Sequence, residues 1–176
     1  LAGGDYRPVS GTLTFDPADT SKTVDVAVLG DVRHEDDETF HVGLSKAVGA
    51  QIAVAKATAT IQNDDALPTL TIADVKVTEG QAGTTAASFA VTLSAASGKV
   101  VSVSYATTDG TAVAGNVPGG SDYNSASGTL NFAAGSTTQF VTVFVRGDLL
   151  NEADETFSVA LAKPVNAALG TSAKAV

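Results

Sequence analysis

Along the second half of the chain apolar and polar residues alternate in short runs: Phe89, Val91 and Leu93; Val101, Val103 and Tyr105; Leu130 and Phe132; Val141, Val143 and Val145; Phe157, Val159 and Leu161. A period of two puts successive side chains on opposite sides of an extended backbone, so each run predicts a strand with one buried face. An opening strand is expected between Leu70 and Val77, and the Gly, Asp and Asn residues between runs supply turns. In "TTQFVTVFV", Phe140 and Phe144 stand opposite Val141 and Val143. That strand is expected to be covered on both sides, by a neighbouring module or a long loop.

The first half carries the later part of the same pattern. Leu13 and Phe15, then Val24, Val26 and Val28, then Phe40, Val42 and Leu44 alternate, and a closing strand is expected from Ala55 to Ile61. The likeness extends to the residues themselves. "DYRPVSGTLTF" at 5–15 matches "DYNSASGTLNF" at 122–132, and "GDVRHEDDETFHVGLSKAV" at 30–48 matches "GDLLNEADETFSVALAKPV" at 147–165, both at an offset of 117 residues. The chain therefore reads as two copies of one module. Residues 1–65 form a copy without its front strands, and residues 66–176 a copy without most of its closing strand. The opening "LAGGDY" reads as a cut inside a longer chain.

A complete module has about seven short strands, which predicts an all-β fold and a β-sandwich. The composition agrees, because Val, Thr, Ala and Gly dominate, aromatics make up 6% and Trp is absent. With no cysteine, such a domain holds together without disulfides. The longest apolar runs have the length of strands and are broken by Thr, Ser and Gly, so no membrane span is predicted.

Nineteen acidic and ten basic residues leave a formal charge of −9. The basic residues are scattered singly, which excludes the clustered Lys and Arg surface that nucleic acid requires. The acids bunch: Asp31, Glu35, Asp36, Asp37 and Glu38 share one loop. Carboxylates this close repel one another, so the loop needs either solvent or a cation. Zinc is a poor fit without cysteine and with His34 and His41 as the only histidines. Both histidines read as surface residues. Asp5 with Tyr6, and Asp122 with Tyr123, read as a turn and a packed aromatic. "NVPGGS" at 116–121 is a loop insertion without the Lys and helix of a phosphate loop. No nucleophile, base and orienting acid stand in a recognisable arrangement, so no enzyme is expected.

"VTEG" at 77–80, "TTDGTAVAG" at 107–115, "DY" at 122–123, "SGTLNF" at 127–132, the "GD…NEADETF" loop at 147–157 and "TIQNDD" at 60–65 together resemble the Calx-beta repeat. The resemblance covers nearly the whole chain, copy two supplying the front of the pattern and copy one the back. It implies an immunoglobulin-like β-sandwich whose calcium-binding members hold Ca²⁺ at the loops of one end. The implied ligands are Glu79, Asp109, Asp148, Glu152 and Glu155 in copy two. In copy one they are Asp31, Glu35, Glu38, Asp64 and Asp65, with Asn63 in place of the first acid of the closing Asp run. Calcium suits such a set, since it takes roughly six to eight oxygen ligands in irregular geometry.

The leading expectation is a calcium-binding tandem module of a large extracellular or cell-surface protein, bacterial by its composition, acting as a calcium-stiffened spacer or adhesion element. Its partners would be calcium ions and neighbouring repeats. A calcium-sensing regulatory domain of a membrane transporter is the alternative, and a metal-free structural or protein-binding sandwich the third. The cut copies also suggest strand exchange between chains.

Overall fold

The computed structural model describes residues 4–115 and 120–176. The first three residues of "LAGGDY" and most of the "NVPGGS" insertion lie outside them. The described residues are all-β, and no helix among them is long and apolar enough to cross a membrane. Two compact units are present. Unit 1 comprises Leu1–Val32 and Asp36–Asp64, and unit 2 comprises Arg33–Glu35 and Asp65–Val176.

Unit 1 has a single two-stranded antiparallel sheet, β1 (Glu38–Gly43) against β2 (Lys56–Ile61), with Phe40 opposite Ala59. The alternating segments around Leu13–Phe15 and Val24–Val28 were expected to be strands and are not. They make one isolated bridge, Tyr6 to Val28, with Arg7 N–H donating to the Ala27 carbonyl and Leu29 N–H to that of Asp5. Their apolar side chains are exposed apart from the half-buried Val26, Phe15 by 53% and Val24 by 42%. The physical reason is that a strand is completed by its neighbours: alternation gives it a face to bury, but the ladder and the covering sheet come from other segments.

Unit 2 has those neighbours. One sheet runs β10 (Lys174–Ala175), β8 (Phe157–Val165), β5 (Val101–Asp109), β6 (Ser127–Phe132); the other runs β7 (Thr138–Arg146), β4 (Thr84–Leu93), β3 (Thr69–Ile72), β9 (Ala168–Leu169). All pairs are antiparallel except β3 with β9. Alternate residues of both sheets meet in one core, including Phe89 and Val91 of β4, Val101 and Val103 of β5, Phe132 of β6, Val141 and Val143 of β7, and Val159 of β8. Each fully buried side chain of this size contributes about 1.5–3 kcal/mol, which is what holds a disulfide-free sandwich together. The opening strand stops at Ile72, earlier than expected. Phe140 and Phe144 are 59% and 47% exposed, so β7 is covered on one face only. Their neighbours across the ladder, Ala90 and Ala86, are too small to build a second layer.

Candidate metal site in unit 2

The carboxylates gather at one end of unit 2, where the turn after Glu79, the loop after β5, Asp122 and the loop between β7 and β8 converge. Local sequence explains the convergence. Gly147 follows β7, and its N–H donates to the Gly83 carbonyl at 3.1 Å. A Cβ there would come within 2.7 Å of the Gly80 carbonyl and 2.8 Å of that of Glu79, so only glycine lets this loop lie against the Glu79 turn. Thr85 Oγ1 holds the turn from the other side by donating to the Glu79 carbonyl at 2.9 Å. Asp148 shapes its own loop, accepting from Leu150 N–H at 2.7 Å.

Asp122 enters through the buried tyrosine that follows it. Tyr123 is 1% exposed and stacks on Phe157 with ring centroids 4.3 Å apart. The backbone around it is fixed by Arg146 N–H donating to the Asp122 carbonyl at 2.7 Å and by Val113 N–H donating to Asp122 Oδ2 at 2.7 Å. Tyr123 OH donates to Asp109 Oδ1 at 2.6 Å, and burial together with that bond pushes the phenol up to about 12. Asp109 Oδ1 also accepts from Ala114 N–H at 3.0 Å.

Two groups of acids result. Oxygens of Glu79, Asp148 and Glu152 lie within 4.8 Å of one another, and so do oxygens of Asp122, Glu152 and Glu155. Glu152 belongs to both. Partial loss of water, then the charges of Asp148, Asp122 and Glu79, push the Glu152 carboxyl above its usual range. Glu155 is raised by partial desolvation, by the charge of Asp122 and hydrogen bonding with it, and by the charges of Glu152 and Glu79. Because both glutamates are exposed, the neighbouring charges are the part of this cost that a cation would relieve. The donor set is all carboxylate oxygen, which suits a hard cation such as calcium.

Of the residues expected from sequence, Glu79, Asp148, Glu152 and Glu155 are thus brought together. Asp109 is in neither group and instead anchors Tyr123. Asp122 was missed, having been read as a turn residue. Copy one behaves differently. Among the described residues, the acid groups within ligand distance include none of Asp31, Glu35, Glu38, Asp64 and Asp65. The set is divided, with Asp31, Glu38, Asn63 and Asp64 in unit 1, Glu35 and Asp65 in unit 2. Asn63 N–H donates to Asp37 Oδ1 at 2.9 Å, joining the segment before β1 to the one after β2. In unit 2, the His34 carbonyl accepts from Gly98 N–H at 3.2 Å, and Glu35 fills the space beside Gly98 where a side chain would stand. His34 Nδ1 lies 3.0 Å from the Asp65 carbonyl.

Comparison with known proteins bears on this arrangement. The chain is 30% identical over 180 residues to sodium/calcium exchanger 2 of Rattus norvegicus, covering 93% of this chain and 19% of that protein. It is 30% identical to extracellular matrix protein 3 of Lytechinus variegatus and 31% identical to FRAS1-related extracellular matrix protein 2 of Homo sapiens, covering 5% and 6% of them. The chain thus spans less than a fifth of the length of these relatives. Among solved structures, it superposes on the apo-form Calx CBD1 domain with a TM-score of 0.53 and 25% identity, over 62% of this chain and 95% of that one. The CBD12 structure of CALX1.2 gives 0.52 and 26%, over 60% and 42%. The Calx-beta domain profile matches twice, at residues 1–66 and 64–175. With both matches, a shared sandwich fold and the motifs recurring at a fixed offset, the chain belongs to the Calx-beta family.

Proposed function

We propose that unit 2 binds calcium through Glu79, Asp122, Asp148, Glu152 and Glu155, and that the chain serves as a calcium-stiffened spacer or adhesion module of a larger surface or secreted protein. The observation that carries this reading is the sharing of Glu152 between two carboxylate groups whose oxygens lie within 4.8 Å of one another. Two divalent cations held by these residues would offset four of the five carboxylate charges. Asp109 positions the site through Tyr123 rather than ligating. The proposed site is confined to unit 2, where both carboxylate groups lie.

Calorimetric titration of the 176-residue chain with calcium tests the proposal. Heat of binding is expected, and Glu152→Gln should weaken affinity on the order of tenfold or more by removing a ligand from both groups at once. No heat up to roughly millimolar calcium would overturn it and favour a metal-free sandwich. The extracellular placement draws on the two matrix relatives. A second reading, a calcium-sensing regulatory domain, draws on the exchanger relative matched over 93% of this chain. A spacer gains thermal stability with little change in scattering profile on adding calcium, whereas a sensor changes shape.

A further inference from the structure

The two carboxylate groups share Glu152, but different parts of unit 2 hold their other members. Glu79 and Asp148 meet where the Gly147 backbone lies against the Glu79 turn. Asp122 and Glu155 are joined instead through the "DGTAVAG" segment, which leaves β5 at Asp109, opposite Phe157 of β8. Just beyond, Ala112 N–H donates to the Thr156 carbonyl at 2.9 Å, and Thr156 N–H donates to Thr111 Oγ1 at 2.8 Å. The residue next to Glu155 is thus held by both of its backbone groups. A Cβ on Gly110 would collide with that same carbonyl, so only glycine lets the segment close over Thr156. Val113 then grips Asp122 from two sides, its N–H donating to Oδ2 at 2.7 Å and its carbonyl accepting from the Asp122 N–H at 2.9 Å. Asp109 fastens the segment to the core: its Oδ1 accepts from Ala114 N–H at 3.0 Å and from the buried Tyr123 OH at 2.6 Å.

We infer that residues 109–114 are a bracket that sets the spacing of Asp122 and Glu155, with Asp109 and Thr111 as its positioning residues. The inference rests on the calcium reading of the two groups and adds that they are tuned separately. A cation held by Asp122, Glu152 and Glu155 depends on the bracket, whereas one held by Glu79, Asp148 and Glu152 depends on the Gly147 contact. Asp109 acts here as an acceptor. Both of its donors use one oxygen, which an amide oxygen would supply equally well; a ligand would act through its charge instead. Residues that orient metal ligands in this way are typically worth about 10- to 100-fold in affinity.

Calorimetric titration of the 176-residue chain with calcium should show two binding events. Asp109→Ala should weaken one of them about tenfold or more and spare the other. Thr111→Val, a change at an exposed residue that removes only the Oγ1 acceptor, should act on the same event. Asp109→Asn should restore it. Equal weakening of both events in Asp109→Ala would reduce the bracket to general stability and overturn the inference, and an Asn variant as impaired as the Ala variant would make Asp109 a ligand. A second measurement needs no metal. In chelator, hydrogen exchange at the Val113 and Asp122 amides should quicken in Asp109→Ala and return to the original rate in Asp109→Asn. Unchanged exchange at both amides in Asp109→Ala would overturn the bracket even where calcium binds. Quickened exchange in a chain that gives no heat with calcium would overturn the calcium reading and leave the bracket standing.

Discussion

Two stretches of nearly the same sequence, 5–15 and 122–132, meet different fates in one molecule. Tyr123 and Phe132 are buried, the second completely, while Phe15 is 53% exposed and Tyr6 half-buried. One feature survives in both. Tyr6 stacks on Phe40 at 4.5 Å, as Tyr123 stacks on Phe157 at 4.3 Å. The aromatic pair forms from segments that both copies have, whereas β6 and β7 form only where β4 and β5 lie beside them. Local pattern thus proposes a strand, and the tertiary neighbour decides it.

The sharpest way to break this comparison is to truncate the equivalent phenylalanines. Phe132→Ala empties a fully buried site and should destabilise unit 2 by about 3–5 kcal/mol. Phe15→Ala removes a side chain already in water and should change stability by no more than about 0.5 kcal/mol. Urea unfolding of the two variants decides the matter. Equal losses would mean that unit 1 has a core resembling that of unit 2.

A smaller effect is expected at the glycines that open the two acidic loops. Gly147→Ala places a Cβ against the backbone carbonyls of Glu79 and Gly80, which cannot rotate away as a flexible side chain would. The loop must shift, at a cost of roughly 1–3 kcal/mol, and calcium affinity should fall because Glu79 and Asp148 separate. Gly30 is the equivalent residue in copy one and has nothing within 4 Å of its Cβ position. Gly30→Ala should therefore be neutral or gain up to about 1 kcal/mol through the unfolded chain. Thermal melts with calcium and with chelator separate the stability effect from the binding effect.

That contrast also marks how much of the site was legible in the sequence. Period-two alternation located β4 to β8, and the recurring acidic loop located Asp148, Glu152 and Glu155. Copy one has the matching acids, with Asp5, Asp31, Glu35 and Glu38 standing where copy two has Asp122, Asp148, Glu152 and Glu155. In copy one the loop takes a different course: Glu35 lies over Gly98, and the copy-one acids belong to neither carboxylate group found among the described residues. Charge spacing along a chain is visible in sequence; the clamp that converts spacing into a site is not. Asp122 was overlooked for a related reason. Its neighbour Tyr123 accounts for the conspicuous "DY" motif through burial alone, and the place of the aspartate beside Glu152 and Glu155 appears only when Tyr123 is packed and Arg146 N–H holds its backbone.

The smallest expected effect is one of pH, and it too should separate the copies. Glu152 and Glu155 have folded carboxyls raised above the ordinary value of 4.5, so the folded state binds protons more tightly than the unfolded chain. Between the ordinary and the raised values unfolding releases protons, and stability falls as pH rises through that window. In chelator, the melting temperature of unit 2 should therefore increase on acidification from neutral towards about pH 5. Calcium supplies positive charge to the same oxygens, so it should raise the melting temperature most at neutral pH and flatten the slope, with protons released on binding. Glu152→Gln should shrink both the acid-side gain and the calcium gain, since it removes the carboxylate shared by the two groups. Glu35→Gln, its counterpart in copy one, should leave both unchanged. A pH slope left at full size in the Glu152→Gln, Glu155→Gln double variant would place the titrating groups outside this cluster and undo the link between charge repulsion and the cation site.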